Sequence, residues 1–146
     1  MIMALHHTAL SVSDLDRSIE FYRDVLGMTL VWRIDHRKSE SLEKVVRLKN
    51  VDVSYGMLSG WEGRIELFQY HFPVGEPYPP DKPVSDKGIT HFAFEVKNID
   101  VLFKKLVACG VRFNSPPMEV RPGVKAVYFH DPDGITIEFV QYSQTK

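Results

Sequence analysis

The sequence predicts an α+β fold built from two copies of one unit, each a strand, a helix and then several further strands. Two observations carry this. Residues 65–70 read IELFQY and residues 137–142 read IEFVQY, identical at four of six positions and each with a glutamate among apolar neighbours. A second agreement lies upstream in the same order: LHHTALSVSDLDRSIEFYRDVLGM, from Leu5, lies over ITHFAFEVKNIDVLFKKLVACGV, from Ile89. His7 then meets His91, Val12 meets Val96, Leu15 meets Ile99, and Asp16 meets Asp100. Agreement at both ends of a stretch marks an internal repeat where one short match would not.

Each copy opens with a histidine-bearing strand and closes with a glutamate-bearing one. Between them the first copy has a helix that Ser13 or Asp14 can cap, with Leu15, Ile19, Tyr22 and Leu26 at helical spacing and Gly27 as its stop. The second has Asn98 as cap, a stripe of Ile99, Leu102, Phe103 and Leu106, and Gly110 as its end. Further strands are expected over 29–34, 44–50 with 51–58, and 64–70, then over 111–114, 125–131 and 135–142. DPDG at 131–134 has turn chemistry. The Pro- and Gly-rich stretch 71–88 reads as a linker that cannot supply a central strand, and 115–124 as an irregular loop. The 146 residues thus form one domain: module one about 4–70, linker 71–88, module two 89–142.

The length suffices to bury a core without disulfides. Lys+Arg 18 against Asp+Glu 19 argues against a nucleic-acid or membrane-surface binder, which would show a basic excess. A small-molecule partner is expected instead. The single cysteine, Cys109, reads as a buried, inert thiol in a reducing compartment. MIMALHHTALSV lacks the features of a signal peptide, no apolar run is long enough to span a bilayer, and a cytoplasmic location is the default expectation.

Alternation along strands separates the candidate site from the core. His7 shares a face with Ala9 and Ser11, opposite Thr8, Leu10 and Val12; His91 shares one with Ala93 and Glu95, opposite Phe92, Phe94 and Val96. Glu66 lies with Arg64, Phe68 and Tyr70, and Glu138 with Thr136 and Val140. A carboxylate among apolar residues needs a cation or a metal. Glu66 could pair with Arg64 or Arg47, and Glu138 with Lys125. Two imidazoles and two carboxylates at matching places in a repeat instead favour a divalent first-row metal.

HHTALSVSDLDRSIEFYRDVLGM, RIELFQY, GITHFAFEV and DPDGITIEFVQ resemble the vicinal oxygen chelate superfamily, which includes glyoxalase I, methylmalonyl-CoA epimerase, extradiol dioxygenases and fosfomycin or bleomycin resistance proteins. The similarity runs from about Leu5 to Tyr142. It implies two tandem βαβββ modules whose sheets form a cup around a metal site. His7, Glu66, His91 and Glu138 fall on the four ligand positions of the glyoxalase and epimerase pattern. The compact bacterial glyoxalases bind glutathione with an arginine where this chain has Ser11 and an asparagine where it has Tyr70, so glutathione hemithioacetal is not the substrate this sequence favours.

The resemblance implies a lyase or isomerase with one divalent ion per site, nickel, cobalt, manganese, zinc or iron. It would act by proton transfer next to a metal-chelated carbonyl through an enediolate, with Glu138 or Glu66 as base. Ser11, Arg64, Phe68, Tyr70, Glu95 and Arg121 are the candidate substrate-binding residues. Two alternatives stay open: an iron(II) dioxygenase of extradiol type using His7, His91 and Glu138, which would tolerate Glu66→Gln, and a non-catalytic small-molecule-binding protein of resistance type. A homodimer is expected, in which a site could draw His7 and Glu66 from one subunit and His91 and Glu138 from the other. His36, His71 and His130 are expected to lack matching partners.

Overall fold

The computed structural model describes residues 1–79 and 82–143, so linker positions 80 and 81 lie outside the described residues. The chain divides into two compact units, Met1–Pro77 and Tyr78–Lys146, and the division falls inside the proline-rich stretch. Each unit is one βαβββ module.

In the first unit β1 (Thr8–Ser11) leads into α1 (Leu15–Glu20), which continues as a π-helical turn over Phe21–Val25. Asp14 is the cap, its carboxylate accepting from Arg17 N at 3.0 Å, and Gly27 leaves the helix at φ 95°, a conformation that favours glycine. Then come β2 (Thr29–Arg37), α2 (Glu40–Val46), β3 (Asp52–Gly60) and β4 (Gly63–Phe72). The sheet order is β1-β4-β3-β2, with β1 parallel to β4 and the other pairs antiparallel. The stripe of α1 packs on β3 and β4, and Leu15, Ile19, Tyr22, Val53, Leu58, Ile65 and Leu67 are buried.

The second unit repeats this plan with β5 (Phe92–Glu95), α3 (Ile99–Ala108), β6 (Met118–Arg121), β7 (Val124–His130) and β8 (Thr136–Tyr142) in the order β5-β8-β7-β6. Again the first strand is parallel to the last. Ile99, Leu106, Val127, Phe129, Ile137 and Phe139 are buried. Asp131 organises the expected turn: its Oδ1 accepts from Asp133 N at 2.9 Å and Ile135 N at 2.8 Å.

Several local expectations are corrected. Residues 44–46, expected in a strand, belong to α2 and 47–50 follow it; Ser39 Oγ caps that helix at Leu42 N, and Glu40 pairs with Lys44 one turn on. These local signals outweigh the β-branched Val45 and Val46. Residues 118–121, expected in an irregular loop, form β6, because Pro122 and Gly123 (φ 76°) provide a turn that folds this segment back onto β7. The expected strand over 111–114 reduces to a single bridge, Phe113 with Phe129. His71 and Phe72 are strand residues of β4, not linker. Cys109 is exposed rather than buried, since α3 ends there at the surface. Asn98 stands before α3 but makes no side-chain cap.

Candidate metal-binding half-sites

The parallel pairing of first and last strands builds the same arrangement in each unit. Ala9 is in register with Glu66, and Ala93 with Glu138. Each histidine stands two residues before that alanine, on the same face, and so reaches its glutamate diagonally. His7 Nε2 is 3.1 Å from Glu66 Oε2, and His91 Nε2 is 3.1 Å from Glu138 Oε2. Glu66 is 9% exposed and the side chain of Glu138 18%, so neither carboxylate is fully solvated. The alternative partners are engaged elsewhere or remote: Arg64 Nη1 donates to His6 Nε2 at 2.7 Å, Lys125 pairs with Asp100 at 2.6 Å, and Arg47 sits at the exposed end of α2.

A neutral imidazole and a carboxylate are ordinary ligands of a first-row divalent ion. Two ligands at about 2.0–2.2 Å from one ion, roughly at right angles, lie about 3 Å apart. The separation in both pairs fits that requirement. Each unit contributes two such donors, and no group of three or more His, Cys, Asp or Glu suited to a metal occurs among the described residues.

The imidazoles are oriented differently. His7 Nδ1 is 2.8 Å from His6 Nδ1, whose Nε2 accepts from Arg64. Arginine can only donate, so a neutral His6 carries its proton on Nδ1 and donates to His7, leaving the His7 Nε2 proton facing Glu66. His91 Nδ1 instead meets Thr90 Oγ1 at 2.9 Å, a hydroxyl that can donate or accept.

Phe68 and Tyr70 share the Glu66 face of β4 and are half-buried, while Ser11 is exposed beside Phe68 on β1. Glu95 is exposed on β5, in register with Val140. Arg121 is exposed on β6, two strands away from Glu138. One site neighbour escaped the sequence reading. Tyr128 on β7 is in register with Glu138, and its ring centroid is 4.7 Å from that of His91. Burial, reinforced by the Glu138 charge, raises the Tyr128 phenol above its ordinary pKa. Burial and then Glu66 do the same to Tyr70. Alternation on the strand after the 115–124 loop could have flagged Tyr128, but its register with Glu138 is a tertiary property.

The other histidines also have partners. His36 and His71 stack at 4.2 Å; His36 bonds Asp52 and His71 bonds Ser54. His130 contacts Asn114 Oδ1 at 2.7 Å and the Gly134 carbonyl at 3.1 Å.

The family model described as Glyoxalase/Bleomycin resistance protein/Dioxygenase superfamily matches residues 4–139. The chain belongs to this superfamily. A lactoylglutathione lyase from Haemophilus influenzae is 34% identical over 145 residues, covering 99% of this chain and 96% of the relative. A 2-epi-5-epi-valiolone epimerase from Actinomyces is 31% identical over 148 residues, covering 94% of this chain and 79% of the relative. Among solved structures, a glyoxalase family protein from Bacillus cereus superposes with a TM-score of 0.87 at 22% identity, covering 97% of this chain and 95% of that one, which supports the fold. Among the described residues, no helix is long and apolar enough to cross a membrane.

Proposed function

We propose that the chain is a divalent-metal-dependent lyase or isomerase that moves a proton on a carbon next to a carbonyl. The observation carrying this is the duplicated His–Glu contact, at the same register position of each module and with the same 3.1 Å separation. We assign His7, Glu66, His91 and Glu138 as the ligands of one ion, with two half-sites joined either within one chain or across a homodimer. The relatives named as lyase and epimerase favour this reading over oxygen chemistry.

Such an ion, when bound, supplies a Lewis acid that stabilises negative charge on neighbouring substrate oxygens. The protein does the rest. One glutamate, Glu66 or Glu138, takes the proton at a carboxylate oxygen and returns it to the product carbon. Tyr128, protonated at neutral pH, presents a hydrogen-bond donor near Glu138. Phe68 and Tyr70 exclude water from the Glu66 side.

The deciding experiment is the metal content of untagged protein purified without chelator, beside the double variants His7→Ala/Glu66→Ala and His91→Ala/Glu138→Ala. About one divalent ion per site, lost in both variants, is expected. Failure of the wild type to take up nickel, cobalt, manganese, zinc or iron rejects the assignment.

A further inference from the structure

Resting on that reading of the His7–Glu66 face, we propose that the substrate carries a planar aromatic ring, which stacks on Phe68 above Ser11 with its neighbouring oxygens directed toward His7 and Glu66. The argument begins with the register around β4. Phe68 is flanked by Tyr55 on β3 and Ser11 on β1, and Glu66 by Met57 on β3 and Ala9 on β1. Residues in register on adjacent strands project from the same face of the sheet.

Tyr55 covers one side of the Phe68 ring. The two rings are parallel to within 2°, with centroids 5.1 Å apart. That is close to the spacing of adjacent strands, about 4.8 Å, as expected for rings standing upright on neighbouring strands. The residue in register on the other side of Phe68 is Ser11, which is small and exposed. A flat group placed there would extend the Tyr55–Phe68 stack by one further layer at the same spacing.

The stack is held in place before any ligand arrives. Trp32 meets Tyr55 edge-on at 5.5 Å, Arg37 Nη1 donates to the Tyr55 hydroxyl at 3.1 Å, and Tyr70 lies against Phe68 at 6.2 Å. Fixed aromatic surfaces bind a ring with little loss of side-chain freedom. From Ser11 the same face of β1 runs to Ala9, which is small, exposed and in register with Glu66. The two positions are about 6.6 Å apart along the strand. A short aryl 2-hydroxy or 2-oxo acid, with its oxygens two and three bonds from the ring, matches that reach.

The second module has no equivalent. There Glu95 occupies the place of Ser11, and Val140, flanked by Ala126, occupies that of Phe68. The duplication therefore accounts for the ligand pairs but not for the slot, which belongs to the first module alone.

The test compares mandelate with lactate, which share the hydroxyl and carboxylate and differ in phenyl against methyl, on zinc-loaded full-length protein. Calorimetry is expected to show mandelate binding about 10-fold tighter. Its ring protons should shift upfield in NMR spectra, and the shift should shrink in Phe68→Leu. Ser11→Trp should fill the slot and abolish the preference for mandelate over lactate. Zinc content measured on the same samples separates the two ideas. Zinc retained with equal affinities, with unshifted ring protons or with no binding of either acid overturns the slot, whereas zinc lost with the ring shift retained overturns the metal assignment and leaves the slot standing.

Discussion

Gln69 Oε1 accepts the backbone N–H of Leu15 at 3.0 Å, so the last strand of the first sheet caps the helix lying on that sheet. Gln141 does the same for Ile99 at 2.8 Å in the second unit. The glutamine of IELFQY and IEFVQY thus has a structural task, while the glutamate three residues earlier faces the other side of the strand. Gln69→Leu leaves a helix-terminal N–H unmatched and should destabilise the protein by about 1–2 kcal/mol. Gln69→Glu, which still offers an acceptor, should recover most of that loss. Urea denaturation of the three proteins checks it, and indistinguishable midpoints would refute the capping role.

Metal binding at His7 Nε2 requires the proton there to leave. The chain from Arg64 through His6 to His7 holds that proton in place, because Arg64 can only donate. Arg64→Leu frees His6 to accept from His7 Nδ1, and zinc affinity should tighten by up to about 10-fold. Competition titration with a chromogenic chelator reads this directly. Unchanged or weaker affinity would mean that the Arg64–His6 contact does not oppose the ion.

Glu66→Gln distinguishes a four-ligand site from a three-ligand one. With His7, Glu66, His91 and Glu138 as ligands, the substitution should weaken metal binding at least about 10-fold and suppress exchange of substrate hydrogen with deuterated solvent. An iron-loaded variant that keeps its metal and consumes oxygen with a catechol would instead support the dioxygenase triad of His7, His91 and Glu138.

Tyr128 has a folded-state pKa raised by burial first and the Glu138 charge second. The sign follows from linkage: a raised value favours the protonated phenol, so its contribution to stability is complete below the ordinary tyrosine range and is lost as pH rises through the raised value. Tyr128→Phe should therefore flatten the alkaline limb of a stability–pH profile. The wild-type minus Tyr128→Phe absorbance titration should move to lower pH in Glu138→Gln.

Gly123 turns the β6–β7 hairpin at φ 76°, and a Cβ added there would lie 2.6 Å from Ser143 Oγ. Gly123→Ala should cost about 1–2 kcal/mol, through the left-handed backbone and the displaced serine. Thermal unfolding measures it. A variant as stable as the parent would show that the hairpin relaxes without cost.

The sequence by itself determined the duplicated βαβββ plan, the two helices and the faces bearing His7, Glu66, His91 and Glu138. Helical and strand periodicities are local, and a repeat shows them twice. It misread 44–50 and 115–124 because the first pits β-branched residues against a helix cap at Ser39, and the second forms a strand only when Gly123 turns it onto β7. Tertiary structure decided everything that depends on register. It set Glu66 beside Ala9 and brought Tyr128 opposite Glu138. It also carried Gln69 and Gln141 to the helix ends and placed Ser11 next to Phe68. Register is fixed by hydrogen bonding between strands far apart in the chain, and a shift by one residue would send each of these side chains to the opposite face.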